Sequence, residues 1–226
     1  MVWQRVNGPR EMPRPAVNLK RRAHYYGPMK TIVTIAGSSR PNSFTAKALA
    51  VVNDQLGQSD FSVVTFDAAG LTLDFPGRPT TADGQRLKAA VKDAAGLVLA
   101  TPEYHGGMSA MLKLCIENLG FPSAMAGKPV ALLGVASGRI GAIKSIEQLR
   151  GVCGHTGALV VPGAISIASV QAAFDADGRS TDPGTDAALR GLATSLLTFM
   201  KNYVCPKFIL EAAVREDGGT PWTTTV

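Results

Sequence analysis

The chain has 226 residues, which favours a single domain with terminal trimmings. Charged residues make up 18% and hydrophobic ones 46%, which excludes disorder over most of the length. Aromatics are only 6% while Gly is abundant, which suits helices packed on a sheet better than an aromatic-rich β-sandwich.

The net charge of +6 is unevenly placed. Residues 1–28 hold Arg5, Arg10, Arg14, Lys20, Arg21 and Arg22 against Glu11 alone. The other 17 basic and 16 acidic residues nearly balance, and no basic stripe with interleaved aromatics runs through them. The sequence therefore gives no reason to expect a nucleic-acid partner. Residues 1–28 also contain Pro9, Pro13, Pro15 and Pro28 and lack apolar periodicity, so they read as a poorly ordered basic extension. That segment is Arg-rich like a transit peptide, yet it has no Ser or Thr and is not amphipathic. A domain is expected over 29–203, with a tail over 204–226.

Cys115, Cys153 and Cys205 are odd in number and far apart, which gives neither a disulfide framework nor a metal knuckle. His24, His105 and His155 lack ligand spacing with them. A reducing, cytoplasmic setting is expected. The uncharged stretch between Arg150 and Asp175 is broken by Gly151, Gly154, Gly157, Pro162 and Gly163, so it reads as helix end, strand and loop rather than a membrane span.

In chain order, short Val/Ile/Leu runs at 31–36, 61–66, 97–100, 130–135 and 158–161 predict buried parallel strands. Helical spacings lie between and after them: Leu49, Val52 and Leu56; a weaker pair, Leu87 and Val91; Leu112, Cys115, Ile116 and Leu119; Ile146 and Leu149; then Leu189, Leu192, Leu196, Phe199 and Tyr203. This alternation predicts an α/β fold of three layers. Five parallel strands in the order 2-1-3-4-5, with helices on both faces, match the flavodoxin-like count. Ligands in such sheets sit beyond the carboxyl ends of the strands, where strand order reverses.

The loops at that end have unusual composition. After the first strand, Gly37 allows a tight turn. Ser38, Ser43 and Thr45 offer hydroxyls, Arg40 a guanidinium, and a helix N-terminus its N–H groups. This reads as a phosphate cradle or, more simply, as a Ser-rich turn capped by Ser43; it is neither a Walker A loop nor G-x-G-x-x-G. After the third strand come Pro102, Glu103, Tyr104, His105, Gly106 and Gly107, with Ser109 as a helix N-cap. The glycines would expose N–H donors to a planar heteroaromatic, and Tyr104 and His105 would wall it. Equally, Glu103 reads as a solvated carboxylate, Tyr104 as a packing residue and His105 as a surface imidazole. After the fourth strand, Ser137 and Gly138 can line the other side of a ring, while Arg139 reads as a steering charge for a phosphate-bearing substrate or as an ordinary surface residue.

GSSRPNS at 37–43, TPEYHGGMSAMLK at 101–113 and SGRIGA at 137–142 together resemble the NADPH-dependent FMN reductase family over about residues 30–200. The resemblance implies FMN as cofactor, with its phosphate on Ser38, Arg40, Ser43 and Thr45. Its ring would lie against Pro102, Glu103, Tyr104, His105 and Gly106, with Ser137 and Gly138 near the other side. It further implies hydride transfer from NADPH (or NADH) to FMN, then to a small-molecule electron acceptor: a flavin, quinone, azo, metal-oxyanion or ferric compound. No catalytic side chain and no metal is implied. Many relatives have Asn at the position of His105 and Pro at that of Ser109. A homodimer or homotetramer is expected, with the 109–120 helix as candidate interface. The competing reading is a flavodoxin-type electron carrier or a non-catalytic flavin-binding module.

Overall fold

The structure, a computed structural model, describes residues 31–204 and 206–207. The basic extension, Cys205 and Phe208 onward lie outside the described residues.

Strands and helices alternate. β1 (Thr31–Ala36) leads to α1 (Phe44–Leu56), β2 (Ser62–Asp67) and α2 (Ala82–Asp93). β3 (Gly96–Tyr104), β4 (Gly107–Met108) and α3 (Ala110–Glu117) follow, then β5 (Pro129–Val135) and α4 (Ile143–His155). β6 (Leu159–Val160), β7 (Ile165–Ile167) and α5 (Pro183–Phe199) complete the fold. The main path of the sheet is β2-β1-β3-β5-β6, all parallel, which is the expected order 2-1-3-4-5.

Two strands depart from the sequence reading. The fifth strand is split: β6 and β7 each pair in parallel with β5, and Val161-Pro162-Gly163-Ala164 lies between them. Pro162 has no N–H for the ladder, and Gly163 has φ +84°, so the strand cannot run through. The third strand continues past Ala100 to Tyr104 and folds back on antiparallel β4.

Alternation along the strands feeds two cores. On one face Ile32, Val98, Ala131 and Leu133 meet Leu49, Val52 and Leu56 of α1 and Leu189, Leu192 and Leu196 of α5. On the other, Val33, Ile35, Leu97, Leu99 and Leu132 meet Leu87 and Val91 of α2, Leu112, Cys115 and Ile116 of α3, and Ile146 and Leu149 of α4. The apolar stripe of the 109–120 helix is thus part of the chain's own core. The last stripe ends differently from expectation. Met200 is fully buried, while Tyr203 is 67% exposed, because residues 200–204 widen into a π-helical turn that rotates Tyr203 outward. Among the described residues, no helix is long and apolar enough to cross a membrane.

Helix ends follow local chemistry. Ser43, Thr81, Ser109 and Asp182 each accept a backbone N–H as N-caps. Asp182 accepts from the Thr185 hydroxyl and backbone N–H, which lowers its carboxyl below the usual value. A depressed folded-state value means the contribution is present above the unfolded value and is lost as pH falls through the folded one. Asp182→Asn is therefore expected to lower the melting temperature near neutral pH. The gap to wild type should close below about pH 4, as scanning calorimetry across pH would show.

Candidate functional site

Beyond the carboxyl ends of β1, β3 and β5 lies an open cavity of about 210 Å3. The 37–45 segment lines it with Ser38, Arg40, Ser43 and Thr45, β3 with Pro102, Glu103 and Tyr104, and the turn after β5 with Ser137. Eight of the eleven residues singled out in the sequence therefore share one wall system. His105, Gly106 and Gly138 do not line it. The sequence reading did not single out Pro41, Asn42, Phe44, Val135, Ala136 and Val170, which do.

The first loop is shaped by close approach. Gly37 donates its N–H to the Ala100 carbonyl at 2.8 Å. A Cβ on Gly37 would stand 2.5 Å from Leu112 Cβ and 2.9 Å from the Ala100 oxygen. Glycine is needed there because α3 packs onto the backbone; its φ is not in the left-handed region. Buried Ser38 accepts the Arg40 N–H at 3.1 Å, and Asn42 turns the chain with φ 52°. A Pro-Asn pair before a Ser cap is a turn signal that could have flagged Asn42. Ser43 accepts the Ala46 N–H at 3.1 Å and keeps its own proton to donate. The first-turn N–H groups of Phe44 and Thr45 meet no acceptor among the described residues, as expected at a helix start.

Arg40 makes no ion pair among the described residues. Its guanidinium lies 5.4 Å from the Tyr104 ring centroid. A ring face holds the cation without occupying its in-plane donors, so Arg40 can still meet an anion. The contact also ties the first loop to β3 across the cavity.

The second loop is a hairpin. His105 (φ 50°) and Gly106 (φ 74°) form a two-residue turn between paired Tyr104 and Gly107, and Glu103 pairs with Met108. Two positive φ values mark the turn that matches strand twist, and His is among the few side chains that enter that region readily. His105 is thus explained by backbone conformation, and Gly107 belongs to a strand rather than to a loop of open N–H donors. Helix α4 holds the hairpin from the side. Glu103 Oε2 accepts the Ser145 N–H at 3.1 Å, and Gln148 Oε1 accepts the Met108 N–H at 2.8 Å. Because Ala142 provides no side-chain cap, Glu103 serves as the borrowed cap of α4. It is neither a free loop carboxylate nor wholly available to a ligand.

Ser109 locks the first two loops together. Its N–H donates to Thr101 Oγ1 at 3.0 Å, its hydroxyl donates to the Gly37 carbonyl, and it accepts the Leu112 N–H at 3.0 Å. In the third loop, Ser137 Oγ accepts from Gln171 Nε2, and Val170 and Ser169 donate N–H groups to Ala136 and Gly138. The thiols lie away from the cavity. Burial pushes both Cys115 and Cys153 up to about 12, so they stay protonated inside the core. Among the described residues no group of His, Cys, Asp or Glu is arranged to hold a metal.

Comparison with known proteins shows the family. Residues 30–172 match the family described as NADPH-dependent FMN reductase. The chain is 36% identical over 134 residues to 2-hydroxy-1,4-benzoquinone reductase of Burkholderia sp., covering 55% of this chain and 70% of that protein. It is 32% identical over 165 residues to an NAD(P)H-dependent FMN reductase of Pseudomonas aeruginosa, covering 67% and 84%. In structure it is similar to FerB, a flavoenzyme NAD(P)H:(acceptor) oxidoreductase from Paracoccus denitrificans. There the TM-score is 0.63 at 24% identity, over 77% of this chain and 99% of that one.

Proposed function

Because the chain belongs to the NADPH-dependent FMN reductase family, we propose that its cavity holds FMN and that it carries hydride from NAD(P)H to a quinone-type acceptor. The observation that carries this reading is the convergence of an unpaired Arg40, three hydroxyl side chains and two acceptorless helix N–H groups on one wall. Such a set fits a phosphate monoester, and charge-assisted hydrogen bonds of this kind contribute roughly 1.5–3 kcal/mol each.

Ser38, Arg40, Ser43 and Thr45 hold the phosphate in this reading. The cavity's 210 Å3 is below the roughly 300–1,000 Å3 of a pocket that encloses a whole ligand. It therefore suits the phosphate end and leaves the ring to the rim: Pro102, Glu103, Tyr104 and the hairpin tip His105-Gly106 on one side, Ser137 and Gly138 on the other. FMN, when bound, supplies the hydride chemistry. The chain binds, orients and shields. Glu103 contributes through α4, whose N-terminus it fixes beside the rim. Gln171 fixes the Ser137 hydroxyl. No side chain is assigned a proton transfer.

The same reading takes either nicotinamide cofactor, places the protein in a reducing cytoplasm, where the free Cys115 and Cys153 thiols persist, and expects a homodimer or homotetramer. Leu112, Cys115 and Ile116 of α3 are spent inside the subunit, so an interface on that helix would use its half-buried face with Met111 and Leu114.

The test is a visible spectrum of the purified chain, reconstituted with FMN and freed of excess, before and after anaerobic NADPH. A flavin band that bleaches is the expected result. A band that persists makes the protein an electron carrier or passive binder, and no band removes the assignment.

A further inference from the structure

Residues 139–144, Arg-Ile-Gly-Ala-Ile-Lys, form a ledge that the assignments above do not use. It begins two positions beyond cavity-lining Ser137 and ends in the first turn of α4. Ile140 is 84% exposed and Ile143 48%. Arg139 and Lys144 flank them, both exposed, and neither forms an ion pair among the described residues. The nearby Glu103 carboxylate is engaged with the Ser145 N–H. Glu147, one turn further on, makes no ion pair either.

The ledge reaches the hairpin. A Cβ on Gly106 would stand 3.3 Å from Lys144 Cδ and 3.9 Å from its Nζ, so the ammonium sits at the tip of the hairpin that carries Tyr104. The ledge is also fastened. Ala142 donates its N–H to Ser166 Oγ at 2.8 Å, Ser145 donates its hydroxyl to the Ala142 carbonyl at 2.8 Å, and Gly141 donates to Gly138 at 3.3 Å. Gly141, at φ +83°, has room for no side chain, since a Cβ would lie 2.5 Å from Ser166 Oγ. A tied backbone thus presents two isoleucines to solvent between two uncompensated cations, at the edge of the site.

We propose that this ledge receives the electron acceptor, and that the acceptor is a planar ring bearing a negative group. The ring would rest on Ile140 and Ile143, and the anion would meet Arg139 and Lys144. The inference rests on the reductase reading. NADPH gives a hydride, solvent gives one proton, and a quinone becomes a hydroquinone while NADP+ is released. A phosphate on the nicotinamide nucleotide has similar charge, so the test separates the two half-reactions.

The FMN-loaded protein is titrated calorimetrically with naphthalene-2-sulfonate, which accepts no electrons. It is then assayed with 1,4-naphthoquinone and its 2-sulfonate. The double variant Arg139→Gln/Lys144→Gln is expected to raise the Kd of naphthalene-2-sulfonate and the KM of the sulfonated quinone about tenfold. The KM of the uncharged quinone should move far less. Ile140→Ser/Ile143→Ser should weaken both quinones. Unchanged naphthalene-2-sulfonate binding in the cation variant overturns the proposal, as does an equal loss for both quinones. A loss confined to NADPH reduction assigns the cations to the nucleotide instead. A loss of oligomer in the isoleucine variant, with unchanged ligand binding, assigns the ledge to a second copy of the chain. The inert probe judges the ledge even if NADPH fails to bleach the flavin, which would sink only the reductase reading.

Discussion

Gly37→Ala is expected to destabilise the protein by about 3 kcal/mol, toward the upper end of what overpacking costs. The reason is geometric. The new methyl would meet Leu112 Cβ at 2.5 Å and the Ala100 oxygen at 2.9 Å. The first is fixed to a helix backbone and the second belongs to β3, so no rotamer change relieves either contact. Shifting α3 would break the hydroxyl bond from Ser109 to the Gly37 carbonyl and expose buried polar groups. In a domain of this size the melting point should fall by about 6–12 °C. Gly151→Ala is the control, because its Cβ meets nothing within 4 Å and it lies inside α4. There the sign should reverse, since alanine is the better helix former by up to about 1 kcal/mol. Equal melting points for wild type and Gly37→Ala would refute the close-packing account of the first loop.

Arg40→Ala is expected to weaken FMN binding about tenfold to a hundredfold, the loss of one charge-assisted contact. Stability without cofactor should barely change, because the side chain is exposed and its aromatic contact contributes only about 0.5–1 kcal/mol. Arg40→Lys should recover part of the affinity, as a point charge lacks the planar fork. Fluorescence titration of FMN at two salt concentrations measures this, and the gap between wild type and variant should narrow at the higher one. Equal affinities would remove Arg40 from the phosphate assignment.

The sheet was legible because each strand is a short apolar run and each helix has a 3.6-residue stripe; Leu87 and Val91, a faint pair, proved fully buried. The first loop was legible because polar side chains and a helix start coincide in sequence. What escaped depended on partners far along the chain. Glu103 reads in sequence as a ring contact or a solvated carboxylate, since nothing local shows that the α4 N-terminus, where Ser145 lies 42 residues on, has no side-chain cap of its own. That His105-Gly106 forms a hairpin tip depends on the pairing of Tyr104 with Gly107, which the local composition does not announce. The positive φ values of this two-residue turn give His105 and Gly106 a backbone role as well, at the tip that borders the rim. Tyr203 fits the helical period by arithmetic alone, and the π turn that displaces it has no mark in composition.

The break at Pro162 also bears on how the molecule behaves in a crowd. A parallel sheet of this kind has two rims, and each is a strip of backbone that another chain could extend. On the β6–β7 rim that strip is cut into pieces of two and three residues with a proline between them, too short to seed a growing ladder. The β2 rim runs six residues unbroken. Among the described residues, the β6–β7 rim therefore offers a growing ladder only short interrupted pieces, and Ser62–Asp67 is the longer unbroken rim.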